Sequence, residues 1–540
     1  GKAKAVQARG GQVVVVDPRR TETAAIADRH LFIRPGGDAF LLAGIVHTLF
    51  ADGRVALGRL APHVAGVETL AAAIADFTPE RVSGRCGIDA ATIRELARTL
   101  ATTPRAAVYG RIGTCTQEYG TLASWLVDVV NLLTGHLDEP GGAMFPKAPA
   151  FAANTLGAPG RGKGVTVGRR RSRVSAAPEV FGELPMGCLA EEIEVAGEGQ
   201  VKALISIAGN PVLSAPNGPR IAAALDQLEL MISIDIYLNE TTRHAHVILP
   251  GLSPLEEMHY DVAFPQLAWR NTARVSKPVL APPTGHPAEW QTLLRLLAIA
   301  TGRGAAIDVD RLDDELAGDD VRRVAGPAAD MILATVAGST GPARLLDLAL
   351  RAGPYRLSLA QLEAAPDGVD LGPLAPRVPE LLRTPSGQIE LAPAMLVDDL
   401  GRARADLARP APDLVLVGRR QLRSNNSWMH NLPTLAKGPF RCTALVSPPD
   451  AARLGLSDGG RARIANGTRA IEVVVEVSAD IMPGVVSLPH GWGHDQPDTR
   501  MAVAAERPGA NINAVLDDHA RDPLSGNAVL SAPITMQPLE

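Results

Sequence analysis

Apolar and polar positions fall into blocks whose period changes along the chain. QVVVVD (12–17) is a continuous apolar run, the pattern of a strand covered on both faces. PRRTETA turns the chain into a short helix, HLFIRP (30–35) reads as a second strand, and DAFLLAGIVHTLFADG (38–53) is amphipathic with a glycine stop. The period then predicts a helix over DAATIRELARTLA (89–101), a strand over AAVYG (106–110), a loop RIGTCTQEYG and a helix over TLASWLVDVVNLLTG (121–135). Such alternation belongs to a doubly wound parallel sheet. A second unit repeats it: VKALISIAGN (201–210) is a strand ending in an Asn-Pro turn, MISID (231–235) another strand, NETTRHA a helix start and HVILPG (246–251) the closing strand. From 413 onward LVLVGRR, TALVSPPDAARLGLSDGGRARIANG, IEVVVEVS and GVVSLPHGW predict short strands and turns, an all-β, barrel-like domain carrying one short helix.

A chain of 540 residues is too long for one core, and the pattern divides it into 1–145, 146–410 and 411–540. Residues 146–180, rich in Gly, Ala, Pro and Arg, read as a long loop or domain crossing, and the basic run Arg169 to Arg173 reads as solvated surface before it reads as an anion site. Segment 300–410 carries helical patches and a turn at TPSGQIEL (384–391). The net charge of −5 argues against a sequence-independent nucleic-acid binder. No apolar run is long enough to span a membrane and no signal-peptide pattern is present, so direct membrane insertion is not expected. Cys86, Cys115, Cys188 and Cys442 are scattered, so neither a disulfide framework nor an iron–sulfur or zinc site is legible, and no metal ligand is assigned. The opening GKAKAVQARG lacks Met and reads as the tail of a helix, so further residues are expected upstream.

Candidate chemistry gathers in the loops that follow strands, where open α/β sheets bind ligands. In DPRRTETA, Asp17 can accept hydrogen bonds from a ribose or purine while Arg19 meets a phosphate, or Asp17 and Thr21 can merely cap the helix. RPGGD repeats the choice at Gly37 and Asp38. RIGTCTQEYG presents Gly113, Cys115 and Gln117 at a helix start, suited to a phosphate or flat heterocycle, with Cys115 read first as a small buried hydrophobe. Asn210 and Asp235 close two further strand-end loops. RSNNSWMHN (423–431), after the first strand of the β domain, concentrates Arg423, Ser424, Asn425, Asn426, Ser427, Trp428 and His430, more hydrogen-bonding groups than a turn needs.

In this order the motifs VVVVDPRRTETA, FIRPGGDAFLL, NLLTGHLDEPGGAMFP, IAGNPVLSAPN, SIDIYLNETTRHAHVILP, TPSGQIEL, SPPDAARLGLSDGGRARI, MPGVVSLPHGWG and NINAVLDDHARDPLSG resemble the prokaryotic molybdopterin oxidoreductases of the dimethyl sulfoxide reductase family. The resemblance implies α/β domains followed by a double-psi β-barrel, and a Mo-bis(molybdopterin guanine dinucleotide) cofactor. It implies that Gly418, Arg419 and 423–428 wrap a pterin dinucleotide and that Asp17, Gly37 and Asp38 hold one guanosine end. Gln117 would face the cofactor near molybdenum, and Asn210 and Asp235 would serve the other dinucleotide under Trp492 and Asn513. It places Gln117 and His430 on the side of a small substrate, a [4Fe-4S] cluster and the metal ligand only in residues upstream, and a redox partner protein beyond them. Cytoplasm and periplasm both suit it. The chain departs from the family pattern at Glu118, where His is frequent, in lacking a basic residue in VLSAPITM (529–536), and after HVILPG, where PLEEMHYDVAFPQLAWRN replaces a Gly-rich stretch. A scaffold subunit of a respiratory complex that has lost the metal is the alternative, disfavoured by the polar loops.

Overall fold

The computed structural model describes residues 1–151 and 167–540; much of the expected domain crossing therefore lies outside the described residues. The chain folds as mixed α/β elements with parallel strand pairs, followed by a C-terminal sheet. Val14–Val16 runs parallel to Arg29–Leu31 in register Val14↔Arg29. This strand is shorter than its apolar run, and Val14 stays 39% exposed, so the expectation of cover on both faces fails. The expected strand at 106–110 is also absent. Its place in the hydrogen bonding is taken by one side chain: Asn131, fully buried, accepts from the Val108 N–H and donates to the Val108 carbonyl, both at 2.9 Å. A primary amide offers the same donor–acceptor pair as a neighbouring strand.

The helix Asp38–Ala51 is the hub of the first core. Phe40, Val46 and Leu49 are wholly buried, and Pro79–Cys86, Ala90–Thr102 and Gly120–Leu133 pack around it. The same core takes in Val378, Leu382, Leu391 and Leu400 from far along the chain. The second unit is a three-stranded parallel sheet, with Leu230–Ile234 between Ala203–Ile207 and Val247–Leu249. The helix expected from NETTRHA is only the 3-10 turn Thr242–His244. Asn239 Oδ1 accepts the N–H groups of Thr241 and Thr242 (both 3.0 Å), and Thr242 Oγ1 donates to Tyr237 O, side-chain bonds that compete with a helix.

The C-terminal sheet has seven strands in the order Ser531–Pro533, Val415–Arg419, Val485–Pro489, Thr443–Val446, Arg469–Val477, Arg461–Asn466, Thr535–Pro538. Two pairs are parallel, Val415–Arg419 with Val485–Pro489 and Thr443–Val446 with Arg469–Val477. Both edge strands come from one stretch, separated only by Ile534, so the sheet must curl until its edges meet. Among the described residues no helix is long and apolar enough to cross a membrane.

Candidate functional site

The first strand ends at Asp17, whose Oδ1 accepts from the Arg19 N–H (2.8 Å); Thr21 alone caps the following helix, accepting from Ala24 N–H at 3.2 Å. Burial raises the Asp17 carboxyl. This loop rests on the β domain: Arg19 bridges to Ile481, and Arg20 N–H donates to Asp480 O at 2.6 Å. Gly37 is a packing residue, since a Cβ there would stand 2.7 Å from Cys86 Cα. Asp38 begins the hub helix and accepts from Gln117 Nε2 (2.5 Å), whose second donor contact is the Gly113 carbonyl. Nothing lies within 4 Å of where a Gly113 Cβ would be, so that glycine leaves open space. Asp17, Asp38 and Gln117 thus converge. Solvent reaches part of Asp38, yet protein crowds it closely, and that burial pushes its carboxyl up to about 6, with the Asp17 charge adding.

With its NH2 committed to two acceptors, Gln117 Oε1 is buried without a hydrogen-bond partner among the described residues. The adjoining Cys115 is half-buried rather than the buried hydrophobe expected, its Sγ 3.6 Å from Ser124 Oγ. Glu118 is tied into ion pairs with Arg409 (2.5 Å) and Arg402 (3.5 Å), contacts across some 280 residues that buttress the loop.

Because Asp38 pays for its charge in the folded state, Asp38→Asn should raise stability at pH 8 by up to about 3 kcal/mol. The gain should vanish below about pH 3, where the wild-type carboxyl is protonated in both states. Urea unfolding at the two pH values checks this.

Asn210 and Asp235 bond within their own unit. Asn210 donates to Glu240 Oε2 (2.8 Å) and accepts from Thr241 Oγ1 (2.7 Å); Asp235, its carboxyl raised by burial, accepts from Tyr237 N–H and Asn239 Nδ2. Asn513 is buried and donates to Leu213 O (2.5 Å), while its carbonyl accepts from Asn217 N–H, joining the β domain to the second unit.

The loop after Val415–Arg419 divides by burial. Gly418 lies in the strand, and Arg419 turns inward to donate to the carbonyls of Ser487 and Thr443; burial pulls its guanidinium down to about 10. Arg419 is therefore a structural brace. Arg423, Asn425 and Asn426 are exposed and Trp428 is 52% exposed, whereas Ser424, Ser427 and His430 are buried. Asn425 and Asn426 occupy the left-handed region (φ 41° and 59°), which Asn tolerates better than most residues. The loop lies directly over Gly491, where a Cβ would collide with the Asn426 carbonyl.

His430, expected on the substrate side, is instead the middle of a buried chain. Glu240 Oε1 accepts from His494 Nδ1–H at 2.7 Å, His494 Nε2 meets His430 Nδ1 at 2.8 Å, and His430 Nε2 meets Ser424 Oγ at 2.7 Å. Glu240 and His494 are 0% and 1% exposed. Burial works to raise the Glu240 carboxyl, but the His494 contact outweighs it and holds the group below the usual range. Burial, reinforced by the His494 charge, pulls His430 down to about 4. Trp492 stacks on His430 with ring centres 4.1 Å apart, and its Nε1 is buried without a partner among the described residues. His490, also drawn down to about 4 by burial, contacts Asn513. Glu240, His490 and His494 were not singled out from sequence; the only signal was their neighbourhood, LNETTR and HGWGH.

Comparison with known proteins fits this geometry. A family model described as molybdopterin oxidoreductase matches residues 2–297, more than half of the chain, and one described as molydopterin dinucleotide binding domain matches 414–531. The chain belongs to the molybdopterin oxidoreductase family. It is similar to the probable oxidoreductase YoaE of Bacillus subtilis (24% identical, 99% of this chain and 72% of that protein). It is also similar to the F420-dependent formate dehydrogenase 1 subunit alpha of Methanococcus maripaludis (28% identical, 57% of this chain and 45% of that protein) and to the assimilatory nitrate reductase catalytic subunit of B. subtilis (27%, 56% and 44%). In matches such as these last two, the chain spans somewhat under half of the relative's length. Acetylene hydratase from Pelobacter acetylenicus shares the fold, with a TM-score of 0.75 at 20% identity over 99% of this chain and 75% of that one.

The residues present suit the cofactor of this family. A pterin presents both donors and acceptors, and burying one unpaired costs a kcal/mol or more. The chain supplies an unpaired buried acceptor, Gln117 Oε1, an unpaired buried donor, Trp492 Nε1, and exposed Asn425 and Asn426.

Proposed function

We propose that this chain forms the cofactor-holding bulk of a molybdenum oxidoreductase acting on a small substrate and passing electrons to a partner protein. The unpaired Gln117 Oε1 beside Asp38, in the loop that leads into the Gly120–Leu133 helix, carries the reading. In this proposal 1–145, 146–410 and 411–540 are the working units, with 378–403 lent to the first core, and the curled C-terminal sheet is a double-psi barrel. Asp17, Asp38 and Gln117 hold one dinucleotide; Asp235, Asn425, Asn426, Trp428, Trp492 and Asn513 hold the other, with Arg423 available for phosphate.

When bound, the cofactor supplies two-electron exchange at molybdenum, with single electrons passed onward through the pterin. The chain's own residues bind, orient and manage protons. A proton arriving at Ser424 can enter His430 Nε2 while the His430 Nδ1 proton moves to His494 Nε2, on the ring whose other nitrogen faces Glu240.

The test is molybdenum and GMP released from the full-length protein, purified from a host that makes the cofactor. About two guanine nucleotides per molybdenum are expected, with both lost in a double variant, Asp38→Ala with Gln117→Ala. Absence of both from the folded wild-type protein overturns the proposal and leaves a scaffold.

A further inference from the structure

A cavity of about 220 Å³ opens beside the Gly120–Leu133 helix, apart from every residue assigned to the cofactor above. Val129, Leu132, Leu137, Leu382 and Leu391 form its walls. Trp125, Asp128, Val129 and Leu132 share one helix face by their three- and four-residue spacing. Water gains little among such walls, and an apolar cavity of about 150 Å³ suffices to hold benzene.

The polar groups of the lining carry one sign. Asp128 makes no hydrogen bond or ion pair with any described residue, and Glu390 accepts only from Ser386 Oγ, at 2.9 Å. No Lys, Arg or His is among the described lining residues. Asp128 and Glu390 are both exposed at the cavity mouth, while protein crowding the Asp128 carboxyl raises its pKa. A carboxylate so placed gains most from a cation that brings its own apolar body, since attraction strengthens as water is displaced. A fatty acid of equal size would be repelled, and a hydrocarbon would leave Asp128 partly desolvated without compensation.

We propose that this cavity binds a small organic cation, a primary alkyl- or arylalkyl-ammonium of about six to ten carbons. Its ammonium lies between Asp128 and Glu390, and its chain lies along Leu132, Leu382 and Leu391. The occupant braces the helix whose first turn adjoins the Gln117 loop.

Calorimetry at pH 8, with Trp125 fluorescence as a second readout, compares hexylammonium, hexanol and hexanoate on the whole chain. Expected are saturable one-site binding of hexylammonium, hexanol at least about tenfold weaker and no binding of hexanoate. Asp128→Asn should lower hexylammonium affinity about tenfold and leave hexanol unchanged; Glu390→Gln should do the same to a smaller degree. The Asp128 side chain makes no bond in the structure, so its variant should fold, and its melting temperature confirms that. No saturable hexylammonium binding, equal affinity for hexanol, or an Asp128→Asn variant that binds the amine as wild type each overturns the proposal.

Discussion

Acidification from pH 7 to 4.5 is expected to strip about 3 kcal/mol from the stability of this protein, before most exposed carboxylates titrate. His430 and His490 are each held near 4 in the folded chain against an ordinary 6.5. As the pH falls through 6.5, the unfolded chain takes up protons that the folded chain refuses, so stability drops until the pH reaches about 4. Each histidine contributes somewhat under 3 kcal/mol by pH 4.5. Asp38 works the other way: raised to about 6, it takes its proton early in the folded state and returns about 2 kcal/mol. The charged groups facing His430 are His494, Glu240 and His490, and Arg420 faces His490. Urea midpoints across this range give the slope. His430→Gln and His490→Gln should each flatten it; slopes equal to wild type in both would remove buried histidine as the cause.

Glu240→Ala is expected to cost about 3–5 kcal/mol. The substitution leaves the buried His494 Nδ1–H and the half-buried Asn210 amide with no acceptor, and opens a hole where the second unit meets the β domain. Glu240→Gln should cost less, about 1–3 kcal/mol, because its carbonyl can still receive His494. Its NH2 would then face the Asn210 NH2, donor against donor, and turning Asn210 would take from the Thr241 hydroxyl proton its acceptor. Thermal or urea unfolding at pH 7 ranks the two. Equal losses would mean that packing, and not hydrogen bonding, sets the value of this contact.

The loops were legible where chain and chemistry are local. The strand-end positions of Asp17, Asn210 and Asp235 followed from apolar runs broken by polar turns, and Thr21 capped the helix as its type suggests. The strand expected at 106–110 failed because backbone groups accept any partner of matching polarity, and a buried Asn131 was available. The helix expected from NETTRHA failed because Asn239 and Thr242 satisfied the same N–H and C=O groups locally.

His430 marks the boundary between the two kinds of information. Its place in a polar loop could be read from RSNNSWMHN, but its partners could not, since His494 lies 64 residues downstream and Glu240 lies 254 residues before His494. The order of apolar blocks and strand-end motifs, by itself, determined the mixed α/β class and the candidate ligand loops, because secondary structure and turn chemistry are written in near neighbours, and the resemblance of those motifs pointed to the family. Which of those polar residues stay free for a ligand, and which are spent on Ser424–His430–His494–Glu240 or on the Arg419 brace, only the tertiary structure decided. A hydrogen bond is set by distance in space, and burial, which shifts the histidines and Asp38, is a property of the packed whole.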